Sequence, residues 1–113
     1  MTDTVARMTI AGIRPDGQPI RIEFSVGVPY EEKPDTWRCP VSLTPLYKKL
    51  AHAAGGDAVQ SLCMAISLGL YLLDKFKEDG GQLMHDDGTP FVLEPYAFGI
   101  AVKGEQVPRT PPE

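Results

Sequence analysis

The sequence predicts an α+β fold: an antiparallel sheet of about four strands, one long helix packed on one face, and a short strand or two after the helix. Three observations predict it. Segments near residues 5–13, 20–28 and 37–43 alternate apolar and polar side chains with period two, the pattern of half-buried strands. Residues 57–79 carry apolar positions at helical spacing between a polar cap and a glycine pair. With 113 residues, the chain is long enough for one core, and its apolar (42%) and charged (23%) shares are those of a globular protein.

In the first segment, Val5 to Ile13, Met8 and Ile10 share one face while Arg7 and Thr9 share the other. Pro15-Asp16-Gly17 supplies turn chemistry, because proline presets the bend and glycine accepts a positive φ. From Ile20 to Val28 the alternation is clearest: Ile20, Ile22, Phe24, Val26 and Val28 face one way, and Arg21, Glu23, Ser25 and Gly27 the other. A hairpin is expected. Pro29 to Asp35 reads as a charged, proline-bounded loop. In the stretch TWRCPVSL that follows, Trp37, Cys39, Val41 and Leu43 share a face. Pro40 has no N–H, so it belongs at a bulge or an edge. Residues 44–54 fit two readings. Thr44-Pro45 suits a helix start, yet Leu46, Lys48, Leu50 and His52 alternate with Tyr47, Lys49, Ala51 and Ala53.

The helix is the firmest element. Asp57 is placed to accept from the free N–H groups of the first turn, and Gln60 follows three residues on, as in a capping box. Lys75 and Lys77 lie near the far end, and Gly80-Gly81 supplies a C-cap. From Asp57 to Asp79 the helix would run roughly 34 Å. Val59, Leu62, Cys63, Ile66, Leu70 and Leu73 form a stripe expected to lie on the sheet as structural core together with Trp37 and Cys39. A second apolar line, Met64, Leu68 and Tyr71, runs roughly opposite and is the candidate interface. After the helix, Gln82 to His85 reads as a short strand and Asp86-Asp87-Gly88 as a turn. Phe91 to Leu93 and Ala97 to Val102 read as edge pieces. A single domain over 1–103 and a loose tail over 104–113 complete the expected organisation.

Charge and composition exclude some functions. The net charge of −4 is uneven: seven Lys/Arg stand against six Asp/Glu in residues 1–56, and four against nine in 57–113. An acidic chain without a basic stripe is a poor nucleic-acid binder, and Lys48-Lys49 is its only adjacent basic pair. The apolar run Leu62 to Leu73 is shorter than the ~20 residues that span a bilayer. The first residues show no secretory pattern, so a cytoplasmic chain is expected. Cys39 and Cys63 lie on different elements and read as two thiols rather than a disulfide.

Little in the sequence resembles catalytic chemistry. A nucleophilic Cys39 would need a base such as His52 or His85 and an electropositive setting, whereas its neighbours on the strand face, Trp37 and Val41, are apolar. His85-Asp86-Asp87 lie on one turn and point apart, so a solvated turn is preferred to a metal site. Asp57 already serves as a cap. Neither a metal nor another cofactor is implied.

Trp37-Arg38-Cys39-Pro40, followed by Gly56-Asp57-Ala58-Val59-Gln60-Ser61-Leu62, resembles a family of small uncharacterised bacterial proteins, a domain of unknown function. Its pattern is a W-x-C strand, then a strand leading into G-x-D-A/S-x-Q-A/S-L at the head of a long helix. The likeness covers residues 7 to about 100 and departs at Thr44-Pro45 and at Ala51-His52-Ala53-Ala54. It implies a strand for 46–54 and a bacterial cytosolic protein, and it carries no catalytic residues. The strand order also resembles HicB-type antitoxin domains and small immunity proteins, a likeness of topology that does not carry function. Two functions are therefore expected. The first is a non-enzymatic protein that self-associates, as a dimer, through the outer helix line, or binds a partner protein. The alternative is a small enzyme or ligand binder using Cys39 with a histidine, or a pocket beside the C-terminal segment.

Overall fold

The computed structural model describes residues 3–96. Within them the chain forms β1 (Thr4–Ile13), β2 (Pro19–Gly27), β3 (Tyr30–Lys33), β4 (Thr36–Cys39), β5 (Val41–Thr44), β6 (Ala53–Gly55), α1 (Ala58–Glu78) and β7 (Gln82–Met84). The fold is α+β, with the strands in two antiparallel sheets ordered β5-β2-β1-β7 and β3-β4-β6. The expected pieces at 97–102 and the tail at 104–113 lie outside the described residues.

β1 and β2 form the expected hairpin. Gly17 takes φ 93° at its turn, and Met8 pairs with Phe24 and Ile10 with Ile22 across the core face. The other face is polar: Arg7 meets Glu23 at 3.0 Å and the Ser25 and Ser42 hydroxyls meet at 2.7 Å. Ile10, Ile22, Phe24, Val26, Val41, Leu43 and Leu83 are buried on the inner side. Val28 falls just beyond β2 and is exposed.

The next segment corrects the reading of a loop at 29–35. Tyr30–Lys33 is a strand paired with β4 through Tyr30↔Arg38 and Glu31↔Trp37. All its residues are exposed, so no apolar alternation betrays it. Asp35 makes the turn in the left-handed region at φ 62°, which aspartate tolerates. TWRCPVSL is likewise two strands. It breaks at Pro40, and β4 and β5 join different sheets. Pro40 has no N–H to continue a ladder, and its carbonyl accepts from Gly27 N–H at 2.9 Å. The inward face nevertheless continues through the corner, because Cys39, Val41 and Leu43 are all buried.

The strand expected over 46–54 is confined to Ala53–Gly55, preceded by a cis Thr44–Pro45 peptide and an irregular connection. Leu46, Tyr47 and Leu50 pack against the core, a spacing that strict alternation does not allow.

α1 is capped as expected. Gln60 N–H donates to the Asp57 carboxylate at 2.8 Å, and Gly56 N–H donates to the Gln60 side chain at 2.6 Å. A cap of this kind is worth about 0.5–2 kcal/mol. At the other end Gly81 N–H donates to Phe76 C=O and Gly80 N–H to Lys77 C=O, with Gly80 at φ 104°. This is a Schellman closure, and it needs the left-handed glycine.

The helix presents only part of the expected stripe to the sheets: Leu73 is buried, and Leu62 and Ile66 pack on the core. Its buried residues are Ser61, Ala65, Gly69 and Leu73, one every four positions. Val59 is 70% exposed, and Leu62, Cys63, Ile66 and Leu70 are only half-buried. At about 100° per residue, the centre of the expected stripe lies roughly a quarter-turn from that of the buried line, and the two share Leu73. The cause is close approach. A Cβ on Gly69 would enter the Phe24 ring, and Gly55 of β6 lies against the Ser61 main chain. Of the second line, Leu68 is half-buried and packs on the core, while Met64 and Tyr71 are exposed.

The two adjacent glycines before the helix should therefore respond differently. A Cβ at Gly55 would lie 2.5 Å from Ser61 N, main chain that cannot yield, whereas at Gly56 it meets only the Gln60 side chain at 3.4 Å. In denaturant melts Gly55→Ala is expected to cost about 2 kcal/mol or more, and Gly56→Ala to stay within about 0.5 kcal/mol of the parent.

Candidate functional site

Cys39 sits at the corner where the chain passes between sheets. It is wholly buried, and its thiol donates to main-chain carbonyls, Gly27 O at 3.4 Å or Pro40 O at 3.6 Å. Burial pushes the thiol up from its ordinary value, against a smaller lowering by the Gly27 contact. A thiol held protonated among apolar side chains is a poor nucleophile. Neither histidine is joined to it. His52 Nδ1 bonds the Tyr30 hydroxyl at 2.8 Å, and His85 lies edge-on to Phe91 with ring centroids 5.1 Å apart. Trp37, two residues earlier in the same strand, is half-buried opposite Gly55. Cys63 is a free, half-buried thiol on α1.

The turn after β7 is a turn by chemistry. Asp87 accepts from Thr89 N–H at 2.9 Å and from the Thr89 hydroxyl at 2.7 Å, and these bonds hold its carboxyl below the usual range. Asp86 reaches Arg21 at 3.4 Å. Among the described residues no group of three or more metal-ligating side chains converges.

Among the described residues three surfaces bear on function. The first is the outer side of α1, where Val59 (70%), Met64 (49%) and Tyr71 (64%) are exposed. Their exposure follows from the small-residue face: once Ser61, Ala65 and Gly69 point inward, the larger side chains must splay to the flanks. By length and composition α1 could also cross a bilayer, a property it shares with core helices. Here its buried line is part of the core.

The second is an apolar cleft of about 270 Å³ between the hairpin and α1, walled by Met8, Phe24, Val26, Ile66 and Leu70 with Tyr96 at its rim. Ile66 and Leu70 come from the stripe expected to contact the sheet; both are half-buried, and Ile66 packs on the core. The third is a polar cleft of about 290 Å³ on the opposite face of the four-stranded sheet, with Ser25, Ser42, Lys48, Lys49 and His52 in its lining. Sequence reasoning did not assemble this cleft. Its only signal was the Lys48-Lys49 pair, because the hydroxyls come from strands that register alone brings together.

A family model, the domain of unknown function DUF6968, matches residues 9–90. No curated protein and no solved structure matches the chain.

The burial of Cys39 has a measurable consequence. In the native protein iodoacetamide should modify Cys63 while Cys39 reacts at least about a hundredfold more slowly than in the unfolded chain, since attack on it waits for opening. Because the folded thiol keeps its proton to higher pH than the unfolded one, its contribution to stability is complete below the ordinary thiol range and lost as pH rises through the folded value. Cys39→Ala should flatten that alkaline fall in chemical melts. Native-state modification of Cys39 at the unfolded rate would refute the buried-thiol assignment.

Proposed function

Because the chain belongs to the DUF6968 family of unknown function, we propose a role resting on its surface: a non-enzymatic interaction protein that self-associates as a dimer through the outer side of α1. The observation that carries this reading is the exposure of Met64 and Tyr71 beside half-buried Leu68 on one flank of the helix. Large apolar side chains grouped on a regular element mark contact surfaces more often than isolated ones do. Aromatic and methionine side chains are enriched in interfaces, the aromatic rings filling pockets with little loss of rotamer freedom and methionine adapting its shape to the partner.

The acidic C-terminal half favours a basic partner protein as the alternative occupant of the same flank. Two free thiols, one buried and one half-buried, suit a cytoplasmic bacterial setting. The apolar cleft supports a second reading, in which the protein holds a small apolar ligand between Met8, Phe24 and Leu70. Cys39 has no part in either.

Light scattering across a concentration series tests the first reading. The parent protein is expected to be dimeric at high micromolar concentration and the Met64→Glu/Tyr71→Glu variant monomeric. The variant's melting should stay close to that of the parent monomer, since both side chains are at the surface. A parent that remains monomeric throughout would overturn the proposal.

A further inference from the structure

We propose that the polar cleft on the outer face of the four-stranded sheet binds a small phosphate-bearing ligand through Lys48, Lys49 and the paired hydroxyls of Ser25 and Ser42. The cleft exists because of the irregular connection between β5 and β6. Leu46, Tyr47 and Leu50 in that connection pack against the core. Lys48, Lys49 and His52 remain exposed and line the cleft.

The chemistry is cationic in an otherwise acidic chain. Among the described residues, Arg7, Arg21 and Arg38 each hold a carboxylate, while Lys48 and Lys49 hold none. Among the described residues, Asp3 is the one carboxylate lining the cleft, set against two ammonium groups. Ser25 and Ser42 are register partners whose hydroxyl oxygens lie 2.7 Å apart. Only one proton lies between them, so the pair retains one O–H to donate outward. His52 is anchored at Nδ1 by Tyr30, which leaves Nε2 as its other polar atom.

Two point-charge donors and a hydroxyl suit an oxyanion with several acceptor oxygens and about two negative charges. A phosphate monoester offers that, and a carboxylate offers less of both. Two nearby main-chain donors are already used, Gly27 N–H by Pro40 C=O and Val28 N–H by Asp3 C=O. The contribution of the lysine and serine side chains is open to mutation without disturbing the backbone. Nothing in it depends on the helix flank proposed for self-association.

Titration of the labelled protein with inorganic phosphate, followed by amide NMR at constant ionic strength, tests the proposal, with acetate as the carboxylate arm. Saturable shifts centred on Ser25, Ser42 and Lys48 to His52 are expected. Affinity should fall at least about tenfold in Lys48→Gln/Lys49→Gln, and severalfold in Ser25→Ala/Ser42→Ala, as removal of charged and neutral donors implies. Absence of saturation, shifts that chloride alone reproduces, or an unchanged affinity in the lysine variant would overturn the site. Acetate binding as tightly as phosphate would overturn the ligand class.

Discussion

The distance between α1 and the strands beneath it is set by glycine. With Gly69 over the Phe24 ring and Gly55 against the Ser61 main chain, the helix comes closer than larger side chains would permit. Ser61, Ala65 and Leu73 complete the inward line, and the Ser61 hydroxyl satisfies itself by donating to Ala58 C=O at 3.0 Å. The consequence is felt on both flanks. Ile66 and Leu70 are displaced to wall an apolar cleft, and Met64 and Tyr71 to face outward. Both candidate apolar surfaces thus descend from the same close approach of the helix.

The second organising feature is the corner at Pro40. A continuous period-two segment would have extended one sheet, but a residue without an N–H hands the chain from one ladder to another. Cys39 fills the space at that corner, small enough to be enclosed and polar enough to contact the Gly27 carbonyl. The connection that returns from β5 to β6 then runs irregularly, which places two lysines and a histidine in the lining of the same cleft as Ser25 and Ser42.

Much of this fold was legible because local rules agreed with it. The hairpin of β1 and β2, the Asp57–Gln60 cap and the glycine closure at Gly80-Gly81 each follow from residue type and spacing. The strand at Tyr30–Lys33 was not legible, since both its faces are solvated and periodicity needs one buried face. The helix orientation was missed for a subtler reason. A hydrophobic stripe weights large side chains, whereas close approach selects small ones, so Val59 and Leu70 outvoted Ala65 and Gly69. The inert character of Cys39 could be inferred from its strand neighbours, but its place between two sheets could not. The polar cleft required a register and an irregular connection that no pattern announces.

The most direct test of the account is the stability of Gly69→Ala. Helix propensity alone predicts a gain of about 1 kcal/mol. The packing described here predicts a net loss of about 2 kcal/mol or more in denaturant unfolding, because the new methyl group would enter the Phe24 ring. Much of that loss should be recovered when Phe24→Leu is combined with it, as a double-mutant cycle would register. A Gly69→Ala protein as stable as the parent, or more so, would contradict the claim that this contact sets the position of the helix.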